Sequence, residues 1–317
     1  MDLIYAILGL VILLLAGDSL VRGAVNLALR LGIPALIVSL TIVAFGTSAP
    51  ELLISIKAVM DNAPGLALGN VVGSNTANIL LVLGLPALMK GLQTSAHDTR
   101  KSYVIMMVSS LWFIALCFFG PLIWVHGLLL LGVLAATFVD QAIEVRDHRR
   151  AGETAELDDL EGADREMPWW RITLFLTLGL IGLPLGADLL VDAAVNIATR
   201  MGVSETVIGL TLIAVGTSLP ELATTVMAAL RNKADVALGN VIGSNMFNLL
   251  AIIGITTFFG PIPVADTFLK FDLWIMLAAS LVLAPFVLRN KDMSRGMGAG
   301  FTLLYVAYVA AILKWGI

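Results

Sequence analysis

The stretch LTIVAFGTSAPEL at residues 40–52 returns, with few changes, as LTLIAVGTSLPEL at residues 210–222. A second stretch, ALGNVVGSNTAN at 67–78, returns as ALGNVIGSNMFN at 237–248. Both pairs align without a gap at a single offset of 170, and the match reaches back to Asp18 and Asp188, Asn26 and Asn196, and Arg30 and Arg200. Nearly half of the positions from 18 to 78 are identical to their partners. Self-similarity of this extent is internal duplication, and it decides the architecture before any one segment is read.

Around these motifs the chain is strongly apolar. Of its 317 residues 59% are hydrophobic and 13% charged, with a mean hydropathy of +0.95, whereas soluble domains carry about 25% charged residues. Runs of roughly 20 apolar residues, long enough to cross a hydrocarbon core of about 30 Å as a helix, recur along the whole chain. Ten spans are expected, at 3–28, 34–60, 65–89, 101–119, 121–144, 170–198, 204–230, 235–259, 269–288 and 298–316. The one long polar segment, 146–167, is a solvated linker that separates a first five-span repeat (1–145) from a second (168–317). Five is odd, so the second half must enter the membrane from the opposite side. The expected fold is therefore an all-α membrane protein of ten transmembrane helices in two inverted repeats, the layout of many secondary transporters.

Charge placement tests that count independently of the motifs. Arg30, Lys90, Arg100, Arg146, Arg231 and Arg289 all follow odd-numbered spans, whereas the other side carries only Arg200, Lys270 and Lys314. With positive charge inside, the linker is cytoplasmic and both termini face outward, as in a multi-pass protein of the cell (inner) membrane. The N-terminus begins Met1-Asp2 without a basic region and runs on into Gly17, Asp18 and Arg22, so it reads as a retained helix rather than a secretory signal. The net charge of -4 carries little weight, because 9 of the 23 acids lie between Glu144 and Glu166. No basic surface suits nucleic acid, no obligate protein partner is indicated, and the partners expected are lipid and inorganic cations. Cys117, the one cysteine, sits in an apolar run, which leaves no disulfide framework and no cysteine metal site.

Glu51 and Glu221 fall well inside apolar spans, where an ionised side chain costs about 2.5–3.5 kcal/mol on insertion scales. They could serve as protonated helix-to-helix hydrogen bonders or as halves of salt bridges, but the cations nearest in depth, Arg22 and Lys57, belong nearer span ends. A cation-binding role fits their setting better. Pro50 has no N–H to offer Gly46, and Pro220 none to offer Gly216, so both motif spans should break there. A half-helix ending at Ala44 to Thr47 then presents its negative end and free carbonyls to the membrane centre. Such broken backbone is tolerated in hydrocarbon only against protein or a water-filled cavity.

Ser74 and Asn78, and likewise Ser244 and Asn248, are four residues apart and share a helix face. Gly69, Gly73 and Ser74 also fit a small-residue packing face with Asn78 as interhelical glue, and both roles are expected together. Two carboxylates, the hydroxyls of Thr47, Ser48, Thr217 and Ser218, and the Ser and Asn oxygens make an all-oxygen set. Such a set suits calcium, which takes 6–8 oxygens at about 2.3–2.6 Å. The histidines His97, His126 and His148 fall near span ends or in the linker and are read as interfacial. Asp18 and Arg22, four apart, suggest a local ion pair. The partner of Arg22 is Asp192, which leaves Asp18 and Asp188 as candidates for a gate or proton path.

At GTSAPE (46–51), GNVVGSNTAN (69–78), GTSLPE (216–221) and GNVIGSNMFN (239–248) the sequence resembles the calcium/cation antiporter superfamily, in particular its compact prokaryotic sodium/calcium exchangers. The resemblance implies a secondary antiporter without cofactors that exchanges calcium for sodium. In it, Glu51 and Glu221 would hold calcium with the carbonyls of Thr47 and Thr217. Ser48, Ser74, Ser218, Ser244 and the Ala44 and Ala214 carbonyls would complete flanking sodium sites, with Asn78 and Asn248 lining the centre. Several sodium/calcium exchangers have an acid where this chain has Asn248, so proton-coupled exchange is the alternative. A channel, commonly built from identical subunits around one pore, fits a chain with its own two-fold pair of sites less well. An enzyme is not expected, for the chain has no H-E-x-x-H motif and no histidine at the depth of Ser48 or Ser74.

Overall fold

Length, apolarity and the positions of Pro and Gly cut the chain into helices, and the computed structural model describes them over residues 2–33, 35–96, 98–151, 164, 166–201 and 214–315. In order they are α1 (Asp2–Leu31), α2 (Ala35–Thr47), α3 (Ala49–Met60), α4 (Pro64–Lys90), α5 (Arg100–Cys117), α6 (Trp124–Ala151), α7 (Trp169–Arg200), α8 (Ala214–Thr217), α9 (Leu219–Leu230), α10 (Ala234–Thr256), α11 (Phe268–Leu288) and α12 (Arg295–Trp315). Among the described residues the β pairing is limited to two isolated bridges, Leu92 with Met293 and Leu122 with Ile262.

Among the described residues eight helices are long and apolar enough to cross a membrane, and α2 with α3, bent by 42° at their junction, makes a ninth if the pair is one span. Residues 202–213, the start of the expected seventh span, lie outside the described residues, as do most of the linker (152–163 and 165) and His97. One boundary differs from hydropathy: α6 continues to Ala151, past the expected span end and into the segment read as linker. Hydropathy marks where a helix leaves apolar surroundings, not where its hydrogen bonds stop, and Gln141 to Ala151 contains no Pro or Gly to end it.

Helix α10 runs through the middle of the bundle, and the whole of its apolar window is buried. Glycine makes this possible, because a Cβ on Gly243 would lie 2.7 Å from the Ala44 Cβ and 2.8 Å from the Leu40 carbonyl oxygen of α2. The small-residue packing face was expected at Gly69 and Gly73, but a Cβ there would meet only the Phe268 ring, at 3.9 Å from Gly69, and nothing at Gly73; the close packing is made by their second-half counterparts Gly239 and Gly243. Helices α1 and α7 form a long antiparallel pair by the same means. A Cβ on Gly9 would sit 2.7 Å from the Leu190 nitrogen, and one on Gly179 2.5 Å from the Leu20 Cβ. The pair is also tied at its ends, by Arg200 to Asp2 at 2.7 Å and by Arg30 stacked over Trp169 at 5.8 Å.

The duplication is visible in backbone detail. Helices α3 and α9 both end in a left-handed asparagine, Asn62 (φ 59°) and Asn232 (φ 57°), a residue that tolerates this conformation at a helix terminus. The charges beside those turns are not duplicated. Asp18 was expected to pair locally with Arg22, and it does, at 2.9 Å. It also pairs with Arg231, 213 residues away at the end of α9, which a reading of spacing along one helix could not reach. The local pair is thus part of a wider tie between the two halves. The residues 170 positions from Asp18, Arg22 and Arg231 are Asp188, Asp192 and Asp61. All three are acids, so the second copy of this tie cannot form. Accordingly α1 packs closely along α9, whereas a cavity of about 140 Å3 separates α7 from α3.

Both Asp18 and Arg231 are mostly buried, at 19% and 14% side-chain exposure. Asp18→Asn should destabilise the protein by about 1–3 kcal/mol, between the values for exposed and for buried pairs, because it leaves Arg22 and Arg231 facing each other. Thermal unfolding in detergent checks this, and an unchanged Tm would show that the tie contributes nothing.

Candidate functional site

The site forms where two breaks meet two asparagine-bearing helices. Helix α2 ends at Thr47, Ser48 turns the chain with φ −87° and ψ 3°, and α3 begins with Ala49-Pro50-Glu51. The second half repeats this at Ser218, with φ −90° and ψ 6°, before Leu219-Pro220-Glu221. The break thus falls two residues before each proline, whose fixed φ suits the first turn of the new helix. Glu51 and Glu221 occupy that first turn, and both are 1% exposed.

A side-chain bond joins the halves here: the Ser48 Oγ donates to Glu221 Oε1 at 3.0 Å. The Thr47 hydroxyl is occupied within the protein, its one proton shared between the Ala44 carbonyl (3.3 Å) and Asn240 Oδ1 (3.4 Å). The Ala44 carbonyl also accepts from the Ser48 N–H at 3.0 Å. Thr217 is half-buried and lines the cavity beside α7, while the Ala214 side chain lies outside the described residues. Ser74, Asn78, Ser218, Ser244 and Asn248 are all buried. In both halves a wide π-helical turn begins at the asparagine, Asn78–Val82 and Asn248–Ile252. Turns of this kind are rare inside α-helices and occur often at functional sites.

The chemistry is in what these groups leave unused. Glu51 Oε2, Glu221 Oε2, Asn78 Oδ1, Ser218 Oγ, Ser244 Oγ and both polar atoms of Asn248 are buried without a hydrogen-bond partner. Buried polar groups are otherwise nearly always paired, and an unpaired one costs about 1–3 kcal/mol, more when charged. All but one of these unpaired atoms are oxygens. Such a set suits a hard cation, and among the described residues no group of three or more His, Cys, Asp or Glu offers another metal site. Of the histidines, His126 caps the start of α6, its Nδ1 accepting from the Ile123 N–H at 3.1 Å. His148 is helical.

Asp188 and Asp18 part company. Asp188, with Asp192, lines the cavity between α7 and α3 together with Pro50, Ile54 and Thr217, whereas Asp18 is held by its two arginines.

Two pairs of asparagines packed behind the site residues escaped the sequence reading. The Asn70 Nδ2 donates to the Glu51 carbonyl (3.4 Å) and to Ser55 Oγ (3.2 Å). The Asn240 Nδ2 does the same to the Glu221 carbonyl (3.3 Å) and Thr225 Oγ1 (3.0 Å). Asn75 and Asn245 each donate to the other's backbone carbonyl at 3.2 Å. Their signal was present: each is an amide in an apolar span, identical 170 residues on.

Comparison with known proteins bears on family and fold. The family model described as sodium/calcium exchanger protein matches residues 1–139 and 171–314, that is, both halves. The sodium/calcium exchanger MaX1 of Methanosarcina acetivorans is 33% identical over 343 aligned positions, covering 96% of this chain and 97% of its own. The inner membrane protein YrbG of Escherichia coli is 32% identical, covering 98% and 95%. The solved structure of the sodium-calcium exchanger NCX_Mj soaked with zero Na+ and Ca2+ superposes with a TM-score of 0.81 at 31% identity, covering 98% of each chain. The chain therefore belongs to the sodium/calcium exchanger family, as a multi-pass membrane antiporter and not an enzyme.

Proposed function

We propose that the protein exchanges calcium for sodium through one mid-membrane site shared by its two halves, with Glu51 and Glu221 as the charged ligands. The observation that carries this is the pair of buried, unpartnered Oε2 atoms on residues whose breaks are joined by the Ser48–Glu221 hydrogen bond. Two carboxylates neutralise one calcium ion. The Thr47 and Thr217 carbonyls would complete its shell. Ser48, Ser74, Ser218, Ser244 and the Ala44 and Ala214 carbonyls would hold sodium at the flanks, with Asn78 and Asn248 at the centre. Sodium and calcium then compete for overlapping oxygens, which is the basis of exchange.

The same proposal includes ten spans in two inverted repeats (1–145 and 168–317), with α2/α3 and α8/α9 as the broken pairs. The linker 146–167 is cytoplasmic and the termini lie outside the cell membrane. Supporting it are the 42° bend, the matching turns at Ser48 and Ser218 and the bias of Lys and Arg. In this frame Asp18 and Arg231 close the cytoplasmic side, and the cavity beside Asp188 opens outward. The α1–α7 pair slides over the core to reverse the two.

A second reading has a specific basis in Asn248, which leaves the site with two formal charges. Three sodium ions would exceed them, whereas protons competing for Glu51 and Glu221 would not. Calcium uptake into sealed proteoliposomes separates the two. An outward sodium gradient should drive uptake and an outward proton gradient alone should not, with Glu51→Gln and Glu221→Gln inactive under either gradient. Uptake driven only by protons would replace sodium as the counter-ion, and wild-type rates in either variant would refute the site.

The sliding step has its own test. In a Cys117→Ser background, a cysteine at Ile54 on the cavity wall should react with a membrane-impermeant maleimide from outside. Asp18→Asn should slow that reaction several-fold by releasing α1. An unchanged rate would show that the tie does not govern which side is open.

A further inference from the structure

The asparagines where the two halves cross, behind the proposed site, are bonded differently in the two halves. Asn75 and Asn245 face each other across the axis that relates the repeats, each Nδ2 donating to the other's carbonyl at 3.2 Å. Beyond that clasp the symmetry ends. Asn245 Oδ1 accepts from Asn78 Nδ2 at 3.0 Å, which occupies a donor of Asn78 and leaves Asn78 Oδ1 buried and unpartnered. The equivalent bond, from Asn248 Nδ2 to Asn75 Oδ1, is not made. Asn75 Oδ1 and both polar atoms of Asn248 are buried without a partner.

The two ends of a carboxamide are nearly the same in shape, and its hydrogen bonds decide which end faces a neighbour. For a cation that choice is decisive, since the oxygen attracts it and the NH2 repels it. We propose that Asn245 is a positioning residue that holds Asn78 as an oxygen donor toward the transported cation, so that the first-half amide is preset while the Asn248 amide is free to turn. Asn245 acts through Asn78 rather than by touching the ion. It is a partner of a ligand, and losing such a partner typically costs about 10–100-fold in metal affinity. The inference rests on the proposed site, and specifically on Asn78 as part of it.

The pseudo-symmetric twin supplies the control. Asn75→Ala and Asn245→Ala each remove one of the two reciprocal bonds of the clasp, but only Asn245→Ala also frees Asn78. Initial rates of calcium uptake into proteoliposomes give the apparent KM of each variant. Asn78→Ala and Asn245→Ala should each raise KM about tenfold, the lower end of that range. The double variant should be no worse than Asn78→Ala alone, because residues acting through one another are not additive. Asn75→Ala should stay within about twofold of wild type in KM while losing thermal stability from its broken clasp bond. Equal effects of Asn75→Ala and Asn245→Ala on KM, or multiplied effects in the double variant, would overturn the proposal. An unchanged KM in Asn78→Ala would instead remove Asn78 from the site itself.

If Asn245→Ala does not fold, Asn245→Asp decides the matter. It keeps the shape and the acceptor for Asn78 but cannot donate to the Asn75 carbonyl. Its KM should stay at or below the wild-type value, and a tenfold rise would assign the effect to the clasp alone.

Discussion

Everything in this molecule accommodates two carboxylates buried in apolar surroundings. Glu51 and Glu221 are 1% exposed, each retains an oxygen without a hydrogen bond, and among the described residues neither forms a salt bridge. An unpaired carboxylate in a low-dielectric interior is among the most costly groups a protein can contain. The broken helices, the buried hydroxyls and the amides surround them with dipoles and oxygens, the setting in which the proposed cation would take up the charges. The glycines serve the same end less directly. Without Gly243 against α2, α10 could not come close enough to bring Ser244 and Asn248 alongside the first-half break.

Duplication explains how one chain assembles such a site, and departures from duplication explain how it acquires direction. The Ser48 and Ser218 turns, the asparagine-capped ends of α3 and α9, and the π turns at Asn78 and Asn248 are paired features. Charge is not paired. One end of the assembly has Asp18 between two arginines, and the residues equivalent to that trio are all acids. Opposite charges tie α1 to α9, whereas Asp188 and Asp192 line a cavity between α7 and α3.

Most of the fold could be read from the chain, since the 170-residue offset and the prolines at 50 and 220 identify the repeats and the breaks. The break lies at Ser48 rather than at the proline because Pro is compatible with the first turn of a helix and incompatible only with its interior. What could not be read depends on contacts between halves. Spacing along α1 reveals Arg22 as a partner of Asp18 but not Arg231. The Asn75–Asn245 clasp exists only once α4 and α10 cross. The π turns leave no mark in composition, for they arise from a shift of one residue in hydrogen bonding. Thr47, Ser48, Glu51, Ser74, Asn78, Ser218, Glu221, Ser244 and Asn248, singled out from the motifs, are buried, whereas Asn70, Asn240 and Asn245, which bond to residues of that set, and Asn75, which bonds to Asn245, emerged only with the packing.

The central claim is that both glutamates serve a single calcium site. Equilibrium titration of the purified protein with calcium in sodium-free buffer tests it most directly. One ion should bind per chain, and Glu51→Gln and Glu221→Gln should each weaken binding at least ~30-fold, as expected for losing one partner of a buried charge pair at about 2 kcal/mol or more. Two ions per chain, or wild-type affinity in either variant, would mean that each half binds calcium on its own.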